Sequence, residues 1–135
     1  MYQAGTLSGT PLAMAAGYEM LSILSSDGSV YKTLEERSSQ LEDGMQDSLR
    51  KLGLNYQINR VGSMFTLFFT ENKVVDYKSA KQSDTAKFGK FFNEMLNRGI
   101  YLAPSQFEAA FVSTAHAEDD IEKTNEAFKQ ALANG

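Results

Sequence analysis

Apolar residues recur at helical spacing over four stretches of this chain and alternate, or run together, over four shorter ones. Leu12, Ala13, Ala16, Met20, Leu21 and Leu24 predict a first helix, with Thr10 as N-cap, Pro11 at the first helical position and Asp27-Gly28 at its end. Its small-sided run Ala13-Met14-Ala15-Ala16-Gly17 lets another backbone come close, so burial on more than one side is expected. A second helix runs from about Val30 to Leu52 and stops at Gly53. Tyr31, Leu34, Leu41, Met45, Leu49 and Leu52 face a core, while Glu35, Glu36, Arg37, Glu42, Asp43 and Arg50 form a solvated face.

Downstream the period changes. Leu54, Tyr56 and Ile58 alternate with polar residues and predict a strand, broken by Val61-Gly62-Ser63. Met64-Phe65-Thr66-Leu67-Phe68-Phe69-Thr70 predicts a second, largely buried strand. The polar stretch from Glu71 to Ser83 reads as a mobile loop anchored by Val74, Val75 and Tyr77. Asp84 is placed to cap a third helix carrying Phe88, Phe91, Phe92, Met95 and Leu96, which Gly99 closes. Ile100-Tyr101-Leu102 predicts a short strand, Gln106-Phe107-Glu108-Ala109 a turn, and Phe111-Val112-Ser113 the last strand. Glu118-Asp119-Asp120 puts carboxylates where a helix dipole favours them, and Ile121, Thr124, Phe128, Ala131 and Leu132 give that final helix an apolar stripe. This order implies an α+β fold: a small, mostly antiparallel sheet of three to four strands with helices on one face. No repeat, low-complexity stretch or linker interrupts residues 1–135, which read as one domain.

Composition narrows the function. The 42% hydrophobic and 22% charged content is that of an ordinary globule, and a net charge of −4 without a basic cluster argues against a nucleic-acid partner. Absent cysteine removes disulfides and thiolate metal sites, and a single histidine makes a histidine-based metal site improbable, so no metal is expected. No apolar run approaches the roughly 20 residues of a membrane span. No membrane partner is therefore expected, and the cytoplasm is the default location.

Three segments stay polar where packing alone does not ask for it: Gly5-Thr6-Leu7-Ser8-Gly9, residues 60–65 and residues 101–109. In the first, consecutive amides, a hydroxyl and a helix start together make a phosphate cradle. The same residues also suit a plain loop leading into a capped helix, with glycines supplying the turns. The spacing is that of neither a Walker loop nor a dinucleotide fingerprint. Arg60 reads either as a carboxylate binder or as a solvated arginine at a strand end. His116 reads either as a base or as a structural residue leading into a helix.

These words, with 111–116 and the acidic helix start at Asp119-Asp120-Ile121, come in an order that resembles the C-terminal part of the glutamate-1-semialdehyde 2,1-aminomutase family, pyridoxal-phosphate-dependent relatives of class III aminotransferases. The resemblance covers essentially the whole chain. Gly5-Thr6-Leu7-Ser8-Gly9 with Pro11, and Leu102-Ala103-Pro104-Ser105-Gln106-Phe107-Glu108-Ala109, are its most specific parts. It implies the small C-terminal domain of a fold-type I enzyme, with residues 1–28 a phosphate-contact loop and interface helix. Gly5 and Thr6 would reach the cofactor phosphate of the other subunit of a homodimer. Glu108 would line the substrate channel for a small-molecule substrate, with Ser105 and Gln106 shaping the same corner. The implied reaction turns glutamate-1-semialdehyde into 5-aminolevulinate for tetrapyrrole synthesis.

The chain departs from the family pattern in places. Thr10 stands where asparagine is usual, Ala110 where glycine is frequent, and Ala117 where a Thr or Ser cap is common, so fraying of the last helix is expected. Met1 stands where the family runs on upstream, so a piece of a longer protein is expected. The lysine that carries the cofactor, and the carboxylate facing the pyridine nitrogen, lie upstream in the family. Lys32, Lys51, Lys73, Lys78, Lys81, Lys87, Lys90, Lys123 and Lys129 all sit on polar faces or in loops. No catalytic residue is therefore assigned in this chain, and it is expected neither to hold pyridoxal phosphate nor to turn over by itself. Two rival readings are the small domain of another class III aminotransferase, which the 103–108 word opposes, and a non-catalytic dimerisation or binding module.

Overall fold

Pro11 opens the first helix where its missing N–H costs nothing, and the computed structural model, which describes residues 5–133, runs α1 over Pro11–Ser26. Met1, the proposed upstream junction, and residues 2–4 of the opening word lie outside the described residues. Thr10 takes the N-cap position, but its hydroxyl donates to the Leu7 carbonyl at 3.1 Å and caps no helix amide. Within this chain α1 is uncovered. None of its residues is buried, and Leu12, Met14, Tyr18 and Leu21 are all well exposed.

The chain falls into two compact units, Met1–Lys32 and Thr33–Gly135, and the sheet lies in the second. α2 (Ser29–Leu52) ends at Gly53, whose φ of 69° is the left-handed conformation that closes a helix without a Cβ penalty. Leu41, Met45 and Leu49 are buried as the spacing requires, whereas Tyr31 is exposed. β1 (Gln57–Val61) and β2 (Met64–Phe68) form an antiparallel hairpin in which Val61 pairs with Met64. Val61 thus belongs to the strand, and the break is the two-residue turn Gly62-Ser63. Gly62 has φ 56° and Ser63 does not, which is the glycine-first turn that suits a twisted hairpin.

Residues 71–83 are better tied than the polar sequence suggests. Asp76 caps the short α3 (Tyr77–Ala80) in a reciprocal box with Ser79, and Asn59 donates from its side chain to the Val74 carbonyl at 3.0 Å. Of the expected anchors only Val74 is buried; Val75 and Tyr77 are exposed, and Ala80 takes their place beside Phe68. Asp84 then caps α4 (Thr85–Asn97) by accepting from the amides of Ala86 and Lys87 at 3.0 and 2.9 Å.

The short strand expected at Ile100-Tyr101-Leu102 does not form. Its inside-outside alternation is kept, with Ile100 and Leu102 packed on the core and Tyr101 exposed, but no backbone ladder reaches it. The third strand, β3 (Ala110–Phe111), is two residues long and pairs antiparallel with β2, giving the order β1-β2-β3. α5 (Glu118–Ala133) starts well despite Ala117. The Asp120 carboxylate reaches back to accept from the Ala117 amide at 2.9 Å, the half of a capping box that an alanine at the N-cap still allows.

The core sits between one face of the sheet and helices α2, α4 and α5. Phe91 and Phe128 meet edge to face at 5.3 Å and 78°, and Phe69 meets Phe88 edge to face while its ring lies tilted against Tyr56 and Phe91. Half-buried Gly44 in α2 leaves room for the Asn125 side chain of α5, which donates to the Gln40 carbonyl at 3.2 Å; a Cβ at Gly44 would collide with that carboxamide. No helix among the described residues is long and apolar enough to cross a membrane.

Arg60 corrects the reading of a solvated strand end. Its side chain is only 15% exposed, grips Glu35 through both terminal nitrogens at 3.0 and 2.9 Å, and reaches Glu42 through Nε at 2.6 Å. The guanidinium therefore bolts β1 to α2, and part of the supposedly solvated face of α2 is spent on it. Its hydrogen bonds hold the Glu35 carboxyl below the ordinary glutamate range. That contribution is complete above the unfolded-state value of about 4.3 and is lost as pH falls through the lower folded-state value. Thermal melts across the acid range should therefore fall less steeply below about pH 4.3 for Arg60→Met than for the parent sequence. Identical slopes would show that the ion pair adds no stability.

Candidate functional site

The first candidate segment is built by a glycine-bracketed turn. The Ser8 amide donates to the Gly5 carbonyl at 3.0 Å and the Thr10 amide to the Leu7 carbonyl at 3.3 Å. Gly9, at φ 78°, lets the chain swing into α1. A Cβ on Gly5 would fall 2.6 Å from the Ser8 hydroxyl, so the tight turn depends on glycine at that end too. The Thr6 hydroxyl and the amides of Thr6, Leu7 and Gly9 make no hydrogen bond among the described residues. That donor set, just ahead of a helix N-terminus, suits an anion with several oxygens.

The second segment lies in the other unit and follows from a serine-led turn. Ser105 accepts the Phe107 amide on its hydroxyl at 3.2 Å and the Glu108 amide on its carbonyl at 3.1 Å. This turn tucks the Gln106 side chain inward, to 2% exposure, and leaves Glu108 on the surface. The Gln106 Oε1 accepts the Phe69 amide at 3.3 Å, while its Nε2 is buried without a partner. Below the turn is a small cavity of about 30 Å³, where Ser105, Gln106 and Glu108 meet Met45, Phe91 and Phe128. The three residues named from the sequence thus do converge on one corner. Glu108 is the exposed acid, Ser105 shapes the turn, and Gln106 is a buried strut.

Beside this corner Tyr77 and Phe107 approach with ring centroids 6.3 Å apart, and the Lys81 ammonium lies 5.7 Å over the Tyr77 ring. The sequence made Tyr77 one of three anchors of the polar 71–83 stretch. The ring contact instead links 71–83 to the 105–109 turn at the surface. His116 is structural as placed: its Nδ1 accepts the Ser113 amide at 2.9 Å and lies 3.3 Å from the Ser113 hydroxyl, shaping the turn before α5.

The donor set at 5–9 fits one end of a phosphorylated cofactor, and no more than that. Every lysine in the chain is exposed, Lys87 at the edge of the apolar hollow beside Phe69 and Leu132 included, so none is withdrawn from water as a lysine carrying an aldehyde cofactor must be.

No protein-family model matches the chain. It is 59% identical over 132 residues to the glutamate-1-semialdehyde 2,1-aminomutase of Chlorobaculum tepidum, an alignment that takes in 98% of this chain. The chain spans about 30% of the length of that curated relative. Among solved structures, an omega-transaminase from Sphaerobacter thermophilus superposes over 100% of this chain and 31% of its own, with a TM-score of 0.84 and 26% identity. A transaminase with pyridoxal phosphate bound matches over 99% of this chain and 30% of its own, with a TM-score of 0.77 and 22% identity. The small antiparallel sheet with helices on one face is thus the architecture of part of an aminotransferase.

Proposed function

We infer, from a chain that belongs by sequence to the glutamate-1-semialdehyde 2,1-aminomutase family, that it is the C-terminal part of an enzyme converting glutamate-1-semialdehyde to 5-aminolevulinate for tetrapyrrole synthesis. The observation that carries this reading is an identity of 59% over 132 residues, nearly the whole chain. Pyridoxal phosphate, when bound to the whole enzyme, supplies the electron sink by which an amino group moves between adjacent carbons. Gly5 and Thr6 offer the free hydroxyl and amides to the phosphate of the partner subunit in a cytoplasmic homodimer. Glu108 forms one wall of the substrate channel, on a corner shaped by Ser105 and Gln106. The residues that bind the aldehyde of the cofactor and carry the chemistry belong to the remainder of the enzyme, and the 135-residue chain by itself is inactive.

The full-length protein carrying this chain is expected to form 5-aminolevulinate from glutamate-1-semialdehyde when supplied with pyridoxal phosphate. Consumption of a different amine with no 5-aminolevulinate formed would overturn the assignment. Glu108→Gln keeps size and hydrogen bonding but removes the charge. It is expected to raise KM about fivefold, the scale of one exposed charge contact, with kcat and the thermal midpoint unchanged. Wild-type kinetics in that variant would remove Glu108 from the channel.

A further inference from the structure

The loop that carries Glu108 is held by side chains at the place where the sheet stops holding it. β3 pairs with β2 only as far as Ala110 against Phe65, so the remaining residues of β2 are beyond the reach of its ladder. Two side chains take over. The Thr66 hydroxyl donates to the Glu108 carbonyl at 3.2 Å, and Gln106 Oε1 accepts the Phe69 amide at 3.3 Å.

The Glu108 amide is engaged as well, donating to the Ser105 carbonyl at 3.1 Å. Both main-chain polar groups of Glu108 are therefore fixed. Its carboxylate is exposed and has no partner among the described residues. An acid held so firmly at the backbone yet left unneutralised at the tip is aimed outward. Gln106 carries the same message from below, since its Nε2 is buried without a hydrogen bond, a cost that a residue serving only to fill space would avoid.

We propose that Thr66 and Gln106 are positioning residues for Glu108, fixing the 105–108 turn on the end of β2 so that the carboxylate meets the substrate at a set height and angle. The proposal rests on Glu108 being a wall of the substrate channel, and a double-mutant cycle in the full-length aminomutase separates the two ideas. Thr66→Val, which keeps the shape and loses the hydroxyl, should raise KM for glutamate-1-semialdehyde about twofold to fivefold, the worth of one hydrogen bond and no more than the loss of the Glu108 charge itself. Thr66→Ser should restore KM to within about twofold of wild type, since the donor is back. In a Glu108→Gln background, Thr66→Val should add no further loss, because there is no charge left to aim. Gln106→Met should behave like Thr66→Val, with its KM effect also absent in the Glu108→Gln background.

Multiplicative losses in the double variants would mean that the two residues support the fold and not the acid, and the proposal would fall. A Glu108→Gln enzyme indistinguishable from wild type would overturn the channel reading first, and the proposal with it. If Gln106→Met does not fold, the Thr66 pair decides the matter alone.

Discussion

Phe128→Ala is expected to lower the stability of the 33–135 unit by about 3–5 kcal/mol, read as a shift in the chemical-denaturation midpoint. Phe128 is fully buried, packs edge to face on Phe91, and is carried by α5 into the same cluster as Met45 of α2 and Phe65 of β2. Its ring also closes one side of the cavity under the 105–109 turn. Alanine would open that cavity into a larger void walled by Met45, Phe65, Phe88 and Phe91. The loss should therefore lie toward the upper part of the range. Phe128→Leu, which keeps most of the volume, should cost about 1.5 kcal/mol or less. Equal losses for the two variants would show that the site responds to the aromatic contact with Phe91 and not to volume. A loss below about 1 kcal/mol for alanine would show that the core does not converge on this ring.

On the proposed contact between Thr6 and the cofactor phosphate, Thr6→Ala in the full-length protein is expected to weaken pyridoxal phosphate binding about tenfold to hundredfold, the worth of one hydrogen bond to a doubly charged phosphate. The effect should appear in cofactor titration of the apoenzyme, while kcat at saturating cofactor stays near wild type. Thr6→Ser should recover most of the affinity, because the donor is what matters. The physical basis is a turn in which Gly5 and Gly9 fix the loop, the Ser8 and Thr10 amides are used internally, and the Thr6 hydroxyl is left over. Unchanged affinity in Thr6→Ala would show that this hydroxyl does not touch the phosphate.

The rigid parts of the fold were written in local chemistry. Asp84 and Gly99 bracket α4 as their residue types require, and Leu41, Met45 and Leu49 of α2 go inside because their spacing leaves no other face for them. The turn at Gln106-Phe107-Glu108-Ala109 was also legible, and the structure closes it with a bond from the Phe107 amide to the Ser105 hydroxyl. Harder to read were positions whose partner is distant in sequence. Arg60 looks like any strand-end arginine until α2 brings Glu35 and Glu42 beside it. Mid-helix Gly44 looks like a weak point until Asn125 fills the space it leaves. Tyr77 looks like an anchor because an aromatic in a polar loop usually is one, yet it lies outside against Phe107.

The sequence alone determined the four long helices and the 57–68 hairpin, which residues of α2, α4 and α5 are apolar on one side, and which family the two polar words resemble. These follow from spacing, capping and turn residues, whose effects reach only a few positions along the chain. The tertiary structure alone decided that Ile100–Leu102 would alternate without joining the sheet, that β3 would stop after two residues, and that Thr66 and Gln106 would take up the main-chain groups left behind. Strand pairing and buried hydrogen bonds join groups dozens of residues apart. Their energy is set by which other groups remain unsatisfied, and that is known only once the chain has closed on itself.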